Sequence, residues 1–95
     1  MIVSMIQLII EIPDVQSIKD KRKIILSVKD KIRQRFKMSV AEVDLQDSLS
    51  FAQIGGALVS NSKVYGESVM NKVLNLIEDE IPVRIHDVKI HTEEY

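Results

Sequence analysis

Residues 39–60, with the sequence SVAEVDLQDSLSFAQIGGALVS, contain two strand-like segments separated by a short polar turn. Apolar and polar residues alternate over 39–46, which is typical of a strand with one solvated face. We expect Ala41, Val43 and Leu45 to face the core, and Val40, Glu42, Asp44 and Gln46 to face the other way. Residues 47–50 have the length of a hairpin turn, and residues 51–60 carry no charge. The segment therefore predicts a β-hairpin of one edge strand and one central strand.

A strand and an amphipathic helix are predicted before this hairpin. Residues 1–12 are almost continuously apolar, and Pro13 ends the strand because proline cannot donate to a β-ladder. Ser17 is placed to cap a helix that continues to about Phe36. Its apolar residues recur at helical spacing on one face, which predicts a face packed on the sheet. These residues are Ile18, Ile25, Val28, Ile32 and Phe36, flanked by Ile24.

A second helix and a last strand are predicted after the hairpin. Asn61 or Ser62 caps the helix, and Pro82 prevents its continuation. Its expected buried residues are Val69, Met70, Val73, Leu74 and Ile77. Residues 83–90 form the last strand, where a shift in apolar phase indicates a bulge near His86 and Asp87.

The predicted order is strand, helix, strand, strand, helix, strand. Right-handed crossovers and charged strands at the edges favour the spatial order 4-1-3-2. This is the α+β ferredoxin-like βαββαβ sandwich, an antiparallel four-stranded sheet with two helices on one face. We expect residues 1–95 to form one such domain.

Composition narrows the class of protein. The chain has no cysteine, which excludes disulfides, thiolate metal sites and a cysteine nucleophile, and fits a reducing compartment. The first apolar run is too short to span a bilayer and follows no basic residues. The sequence therefore predicts a cytoplasmic protein with no membrane contact and no cofactor.

Several stretches resemble the bacterial YlxP-like proteins, across the whole chain and in order. The family's opening motif is P-x-x-x-S-L-K-D-K-R. Two stretches of this chain resemble it, Ile12-Pro13 and Gln16-Ser17-Ile18-Lys19-Asp20-Lys21-Arg22, with Ile18 in place of Leu. The family's strand motif S-V-A-E-V-D-x-Q-D is similar to residues 39–44 followed by Gln46-Asp47. Its V-S-N motif is similar to Val59-Ser60-Asn61. The resemblance implies a ferredoxin-like domain of unknown function. It also implies a ribosome-linked role, because the family's genes often lie near translation and ribosome-maturation genes, including that for ribosome-binding factor A. It supplies no catalytic residues.

Charge is unevenly distributed along the chain. Residues 19–37 hold nine basic and two acidic residues, whereas the rest holds four basic and twelve acidic ones. Six of the basic residues fall on one face of the first helix, where they predict a phosphate-binding surface for ribosomal RNA or a ribosome-maturation component. They are Lys19, Arg22, Lys23, Lys29, Arg33 and Lys37. Leu26 lies among them and is a candidate partner contact. The alternative interpretation is an ordinary solvated helix face.

The open face of the sheet is the second candidate surface. The expected phase places Met5, Gln7, Ile9, Glu42, Asp44, Gln46, Gln53, Gly55 and Ala57 there. Base stacking on this face is disfavoured, because only Phe51 is aromatic and the acids would repel phosphates. Met5 and Ile9 instead predict either contact with a protein or a face covered by loops or by the C-terminal tail. The alternative function is therefore a protein-interaction module, or a homodimer formed through an edge strand or this face.

The sequence predicts no enzyme and no metal site. Acylphosphatases share the architecture but cradle phosphate on a Gly-rich loop, and residues 13–16 contain no glycine. No nucleophile–base constellation, P-loop or dinucleotide fingerprint is present. Glu42, Asp44 and Asp47 match no calcium-loop spacing. His86 and His91 are expected to be surface residues.

Overall fold

The computed structural model describes residues 1–95. Its six elements follow the predicted order. They are β1 (Ile2–Glu11), α1 (Ile18–Phe36), β2 (Ser39–Asp44), β3 (Phe51–Ser60), α2 (Lys63–Glu80) and β4 (Arg84–Glu94). The four strands form one antiparallel sheet in the order β2-β3-β1-β4, which is the predicted order counted from the opposite edge. The predicted ferredoxin-like fold is confirmed.

The core lies between one face of the sheet and the two helices. Even-numbered residues of β1, from Ile6 to Ile10, are buried, as are Val28 of α1 and Val73 of α2. This arrangement follows from the two periodicities, because alternate strand residues and every third or fourth helix residue share a face. The predicted helix faces are confirmed, with Leu76 as an additional buried residue of α2. Neither helix has an apolar stretch long enough to cross a membrane.

Side-chain caps fix where the helices begin. The Ser17 hydroxyl accepts the backbone N–H of Asp20 at 3.1 Å, as predicted for α1. For α2 the sequence left two candidates, and Ser62 is the cap, accepting from the N–H of Tyr65. At the end of α1, Lys37 adopts a left-handed conformation (φ 54°) and its N–H closes the last turn on Arg33.

The predicted phase of β2 is wrong. Val40 is buried under the helices and Glu42 points to the same side, whereas Ala41 and Val43 lie on the open face. The strand also ends at Asp44, two residues early, so Leu45 and Gln46 belong to the loop. Alternation alone favoured the other side, where every predicted core residue is apolar, but the structure buries Val40 and pairs Glu42 with Lys21.

A register shift in β2 further separates the acids that the sequence placed on one face. The shift occurs between Glu42 and Asp44, and it leaves Asp44 opposite Gln53 on the open side. Glu42 and Asp44 therefore do not share a face, contrary to the prediction.

The predicted bulge in β4 is confirmed. Ile9 pairs with Asp87 and Ile10 pairs with Ile85, so His86 has no partner in the register. The strand continues to Glu94, four residues beyond the predicted end at Ile90, because β1 remains available for pairing up to Ile2.

Candidate nucleic-acid interface

The basic residues of α1 divide into two classes by their ion pairs. Lys21 pairs with Glu42 at 3.2 Å. Arg35 and Lys31 both pair with Glu80, Arg35 through two hydrogen bonds at 2.7 and 3.4 Å and Lys31 at 4.0 Å. Hydrogen bonding with Arg35 lowers the pKa of Glu80 below 4.5, which keeps this carboxylate charged. These three cations are therefore engaged within the molecule.

The other six cations have no carboxylate partner, and they are the six that the sequence singled out. Five of them are exposed and Lys29 is half-buried. Arg33 alone among them is held in place, because its Nη2 donates to the carbonyl of Val40 at 2.6 Å. That bond consumes one N–H of the guanidinium and leaves the positive charge uncompensated. The outer face of α1 therefore carries an excess of unpaired positive charge.

Leu26 lies in the middle of this face. Its side chain is 52% exposed and is therefore accessible to a partner. At 100° per residue, Lys19, Lys23 and Arg33 lie within about 60° of it around the helix axis. Asp30 is the acid within the same stripe and has no ion pair. Hence a ligand on this face contacts cations near both ends of α1, and contacts Leu26 and Asp30 near its centre.

Lys21 is the residue whose role the sequence analysis missed. Its side chain is only 2% exposed, and Nζ donates to the carbonyls of Leu45 at 2.8 Å and Ser48 at 2.6 Å. With Glu42 beside it, the ammonium exchanges its water for two carbonyls and a carboxylate, which makes burial tolerable. The available signal was its position: Lys21 falls on the apolar face of α1, one turn before Ile25.

The loop that Lys21 holds is fixed at several further points. Leu45 has a left-handed backbone (φ 63°), a conformation that costs a non-glycine residue about 1 kcal/mol. Its N–H donates to Oδ1 of Asp44 at 2.7 Å, and the hydroxyl of Ser48 accepts the N–H of Phe51. Lys21 thus secures the loop at both ends of its turn.

A cavity of about 430 Å³ lies between this loop and the first turns of α1. It is lined by Ile18, Lys21, Arg22, Ile25, Glu42, Gln46 and Asp47. It therefore adjoins the basic residues at the start of α1. Oε2 of Glu42 is buried here and faces the Lys21 ammonium at 3.2 Å.

The open sheet face remains uncovered. Met5 and Ile9 are half-buried, and Val43 and Val59 are exposed. A shallow hollow of about 290 Å³ crosses the centre of this face between β1, β2 and β3. Gly55 forms part of its floor, with Val43 directly above, so a Cβ at Gly55 would lie 3.0 Å from the valine Cγ1.

The two histidines lie on the surface, as predicted. Nε2 of His86 is 2.7 Å from Glu11, and the His86 ring packs edge-on against Phe51 with centroids 5.5 Å apart. His91 contacts Glu93 at 2.7 Å. These are paired contacts, and no group of three or more histidines and acids is placed to hold a metal ion.

The sheet order, the crossovers and the two helices on one face define a ferredoxin-like α+β sandwich. The chain belongs to the family "Protein of unknown function (DUF503)", whose model matches residues 3–90. It is 31% identical over 65 residues to the uncharacterized protein YlxP of Bacillus subtilis, covering 68% of this chain and 71% of that one. The resemblance inferred from the sequence is therefore confirmed.

Two solved structures are similar in fold. One is a suspected antibiotic biosynthesis monooxygenase from Deinococcus radiodurans, with a TM-score of 0.51 and 17% identity over 100% of this chain and 92% of that one. The other is a dimeric protein of unknown function from Bacteroides fragilis, with a TM-score of 0.51 and 10% identity over 99% and 96% of the two chains. At these identities the similarity establishes the fold alone.

Proposed function

We propose that this protein is an RNA-binding domain that acts by association and not by catalysis, docking phosphates on the outer face of α1. One observation carries the proposal: the six cations of that face lack carboxylate partners, while the other three basic residues of the segment are paired. Unpaired lysines and arginines release counterions from a phosphate backbone on binding, which is the main source of sequence-independent affinity.

The spacing of the cations fits a nucleic-acid backbone. Lys19, Arg22 and Lys23 form one cluster, and Arg33 and Lys37 form a second. At a rise of about 1.5 Å per residue the clusters lie about 15–20 Å apart. That reach suits two or three phosphates and provides no base-specific contact by itself. The ribosome-linked role implied by the family resemblance makes structured ribosomal RNA the first ligand to test.

The test is a mobility-shift titration across a salt series with matched variants. Arg22→Ala/Lys23→Ala removes two unpaired cations, and Lys31→Ala/Arg35→Ala removes two paired cations from the same helix. We expect the first variant to lower the slope of log affinity against log salt by about 2. The second variant should change the slope by less than the first, because Glu80 holds both side chains and neutralises one of their two charges.

The proposal fails if the wild-type protein does not bind RNA at low salt. It fails equally if both variants reduce affinity alike, since that would show a response to net charge and not to this surface.

The uncovered sheet face supports a second candidate, a homodimer. Val43 and Val59 are exposed there beside the half-buried Met5 and Ile9, and such apolar surface commonly marks a protein contact. The similar Bacteroides fragilis protein is dimeric. Light scattering at high micromolar concentration tests this candidate, and a strictly monomeric mass contradicts it. Val59→Asp should dissociate a dimer formed through this face.

A further inference from the structure

The outer edge of β4 is a long strand edge without a partner. β4 has 11 residues and is the last strand of the sheet, so it pairs with β1 on one side and with no strand on the other. Proteins usually shorten or cover such edges, because their free N–H and C=O groups accept a further strand. The outer edge of β4 therefore offers a place for an additional strand.

Two apolar side chains beside this edge belong to the core side of the sheet and are nevertheless exposed. Val88 and Ile90 lie directly opposite Leu8 and Ile6 of β1, which are buried under the helices. Residues directly opposite each other in an antiparallel pair lie on the same face. Yet Val88 is 37% and Ile90 is 38% exposed, so the helices cover β1 fully and β4 only in part. A strand added at this edge would bury both side chains further.

The hydrogen bonds at the end of the ladder determine which backbone groups point outward. Met1 and Tyr95 exchange two backbone hydrogen bonds, at 2.7 and 2.9 Å. Hydrogen-bonded and non-hydrogen-bonded pairs alternate along an antiparallel ladder, and the register is unbroken over residues 87–94. The odd-numbered residues of that range therefore bond to β1. The N–H and C=O groups of Val88 and Ile90 point to the free edge.

The bulge makes this edge symmetric about Val88. Because His86 is the extra residue, Ile85 follows Asp87 directly in the pairing with β1 and lies on the helix side opposite Ile10. The order along the ladder is therefore apolar, acidic, apolar, basic, apolar, given by Ile85, Asp87, Val88, Lys89 and Ile90. The acid and the base are both exposed, and neither has an ion pair within the molecule.

Two copies related by a two-fold axis through Val88 are complementary at each of these positions. On the helix side, Val88 faces the partner's Val88, and Ile90 faces the partner's Ile85. On the open side, Asp87 faces the partner's Lys89, and the axis repeats this ion pair. The backbone groups that the free edge exposes are those that this pairing uses.

Charge disfavours the neighbouring registers. An axis through Lys89 places two lysines opposite each other, and an axis through Asp87 does the same with two aspartates. An axis through Ile90 places Asp87 opposite the partner's Glu93. Like charges directly opposite each other destabilise a strand pair, so the register centred on Val88 is favoured.

We propose that β4 pairs with β4 of a second copy of this chain in the register centred on Val88, which joins two four-stranded sheets into one sheet of eight strands. This interface is distinct from a dimer formed through the open sheet face. It is also independent of the proposed RNA-binding function, because α2 packs beside β4 whereas α1 packs beside β2. The basic face of α1 stays free in this dimer.

The test is sedimentation velocity of the full chain over a concentration series up to high micromolar, with charge-exchange variants. Asp87→Lys and Lys89→Asp should each weaken the dimer about tenfold, because both cross-strand pairs change from attraction to repulsion. An equimolar mixture of the two variants should recover the dimer, since the added lysine of one then faces the added aspartate of the other. Val59→Asp is the control on the open face and should leave the dimer unchanged.

Amide hydrogen exchange followed by NMR provides a second readout. The amides of Val88 and Ile90 should exchange more slowly as protein concentration rises, whereas that of Lys89, already bonded to β1, should not respond. A protein that stays monomeric at every concentration overturns the inference. A dimer disrupted by Val59→Asp and not by the charge variants also overturns it, and assigns the contact to the open face. Failure of the mixed variants to recover a dimer overturns the register. None of these results alters the RNA-binding test.

Discussion

Nζ of Lys21 lies 3.2 Å from Oε2 of Glu42, and this contact joins α1 to β2 beneath the 45–48 turn. The two residues come from the two longest stretches that carry the family resemblance, the K-D-K-R opening of the helix and the S-V-A-E-V-D strand. Those stretches lie about twenty residues apart in the chain. They come into contact at the buried ammonium of Lys21. The resemblance therefore includes a structural element that secures the hairpin loop.

Replacing Lys21 tests that role. Lys21→Met keeps the length of the side chain but leaves Glu42 without its cation and the Ser48 carbonyl without a donor, while the Leu45 carbonyl keeps the N–H of Ser48. We expect a loss of about 3 kcal/mol in the free energy of unfolding, measured by urea denaturation. Lys21→Met/Glu42→Leu should recover part of that loss, because no unpaired charge remains. A single variant as stable as the wild type would show that the ion pair contributes nothing.

Gly66 of α2 approaches β1 so closely that a side chain cannot fit. A Cβ at Gly66 would overlap Oγ of Ser4 and lie 3.0 Å from the Ser4 Cβ, and Ser4 is fully buried. Gly66→Ala should destabilise by about 1–2 kcal/mol, because the cost of overpacking exceeds the helix propensity gained.

Ser4→Ala provides the matched control for this contact. Oγ of Ser4 has no hydrogen-bond partner, so its removal alone should change stability by less than about 0.5 kcal/mol. Combined with Gly66→Ala it should restore part of the lost stability in thermal melts, because the Ser4 Cβ still lies 3.0 Å from the new Cβ. Additive losses in the double variant would show that the two residues do not share this space.

Val28 and Lys23 distinguish the inner and outer faces of α1. Val28 is 0% exposed, whereas Lys23 is exposed and unpaired. Val28→Asp should destabilise by at least about 3 kcal/mol through an unpaired buried carboxylate, and Lys23→Asp by well under 1 kcal/mol. Under the proposed function, Lys23→Asp should nevertheless weaken RNA binding, since it replaces a cation with an anion. Unfolding by Lys23→Asp, with Val28→Asp tolerated, would contradict the assigned faces.

The contact between Arg35 and Glu80 predicts a pH dependence. Hydrogen bonding with Arg35 lowers the pKa of Glu80 below 4.5 in the folded state. The contact therefore stabilises the fold fully above pH 4.5, and this contribution disappears as the pH falls through the lowered pKa. A carboxyl titration by NMR should show the Glu80 midpoint rising toward 4.5 in Arg35→Ala. Lys31→Ala should move it less, because that cation is 4.0 Å away.

Much of this protein follows from local sequence. Apolar periodicity predicted both helices with their buried faces, and the phase change near His86 predicted the bulge in β4. Ser17 was identifiable as a cap because its bond reaches only three residues along the chain. The face of α1 that carries the six unpaired cations also follows from helical spacing alone. All of these features depend on residues within a few turns of one another.

The tertiary structure decided the features that depend on distant partners. Lys21 is an ordinary basic residue in the sequence, and only the arrival of Glu42 and the 45–48 turn makes it a buried anchor. The same contact is compatible with only one phase of β2, the one that buries Val40 in the core and places Glu42 beside its cation. Alternating residues specify that a strand has two faces. Which face is buried depended on contacts between distant segments, namely the packing of Met38 and Val40 in the core and the ion pair of Glu42 with Lys21.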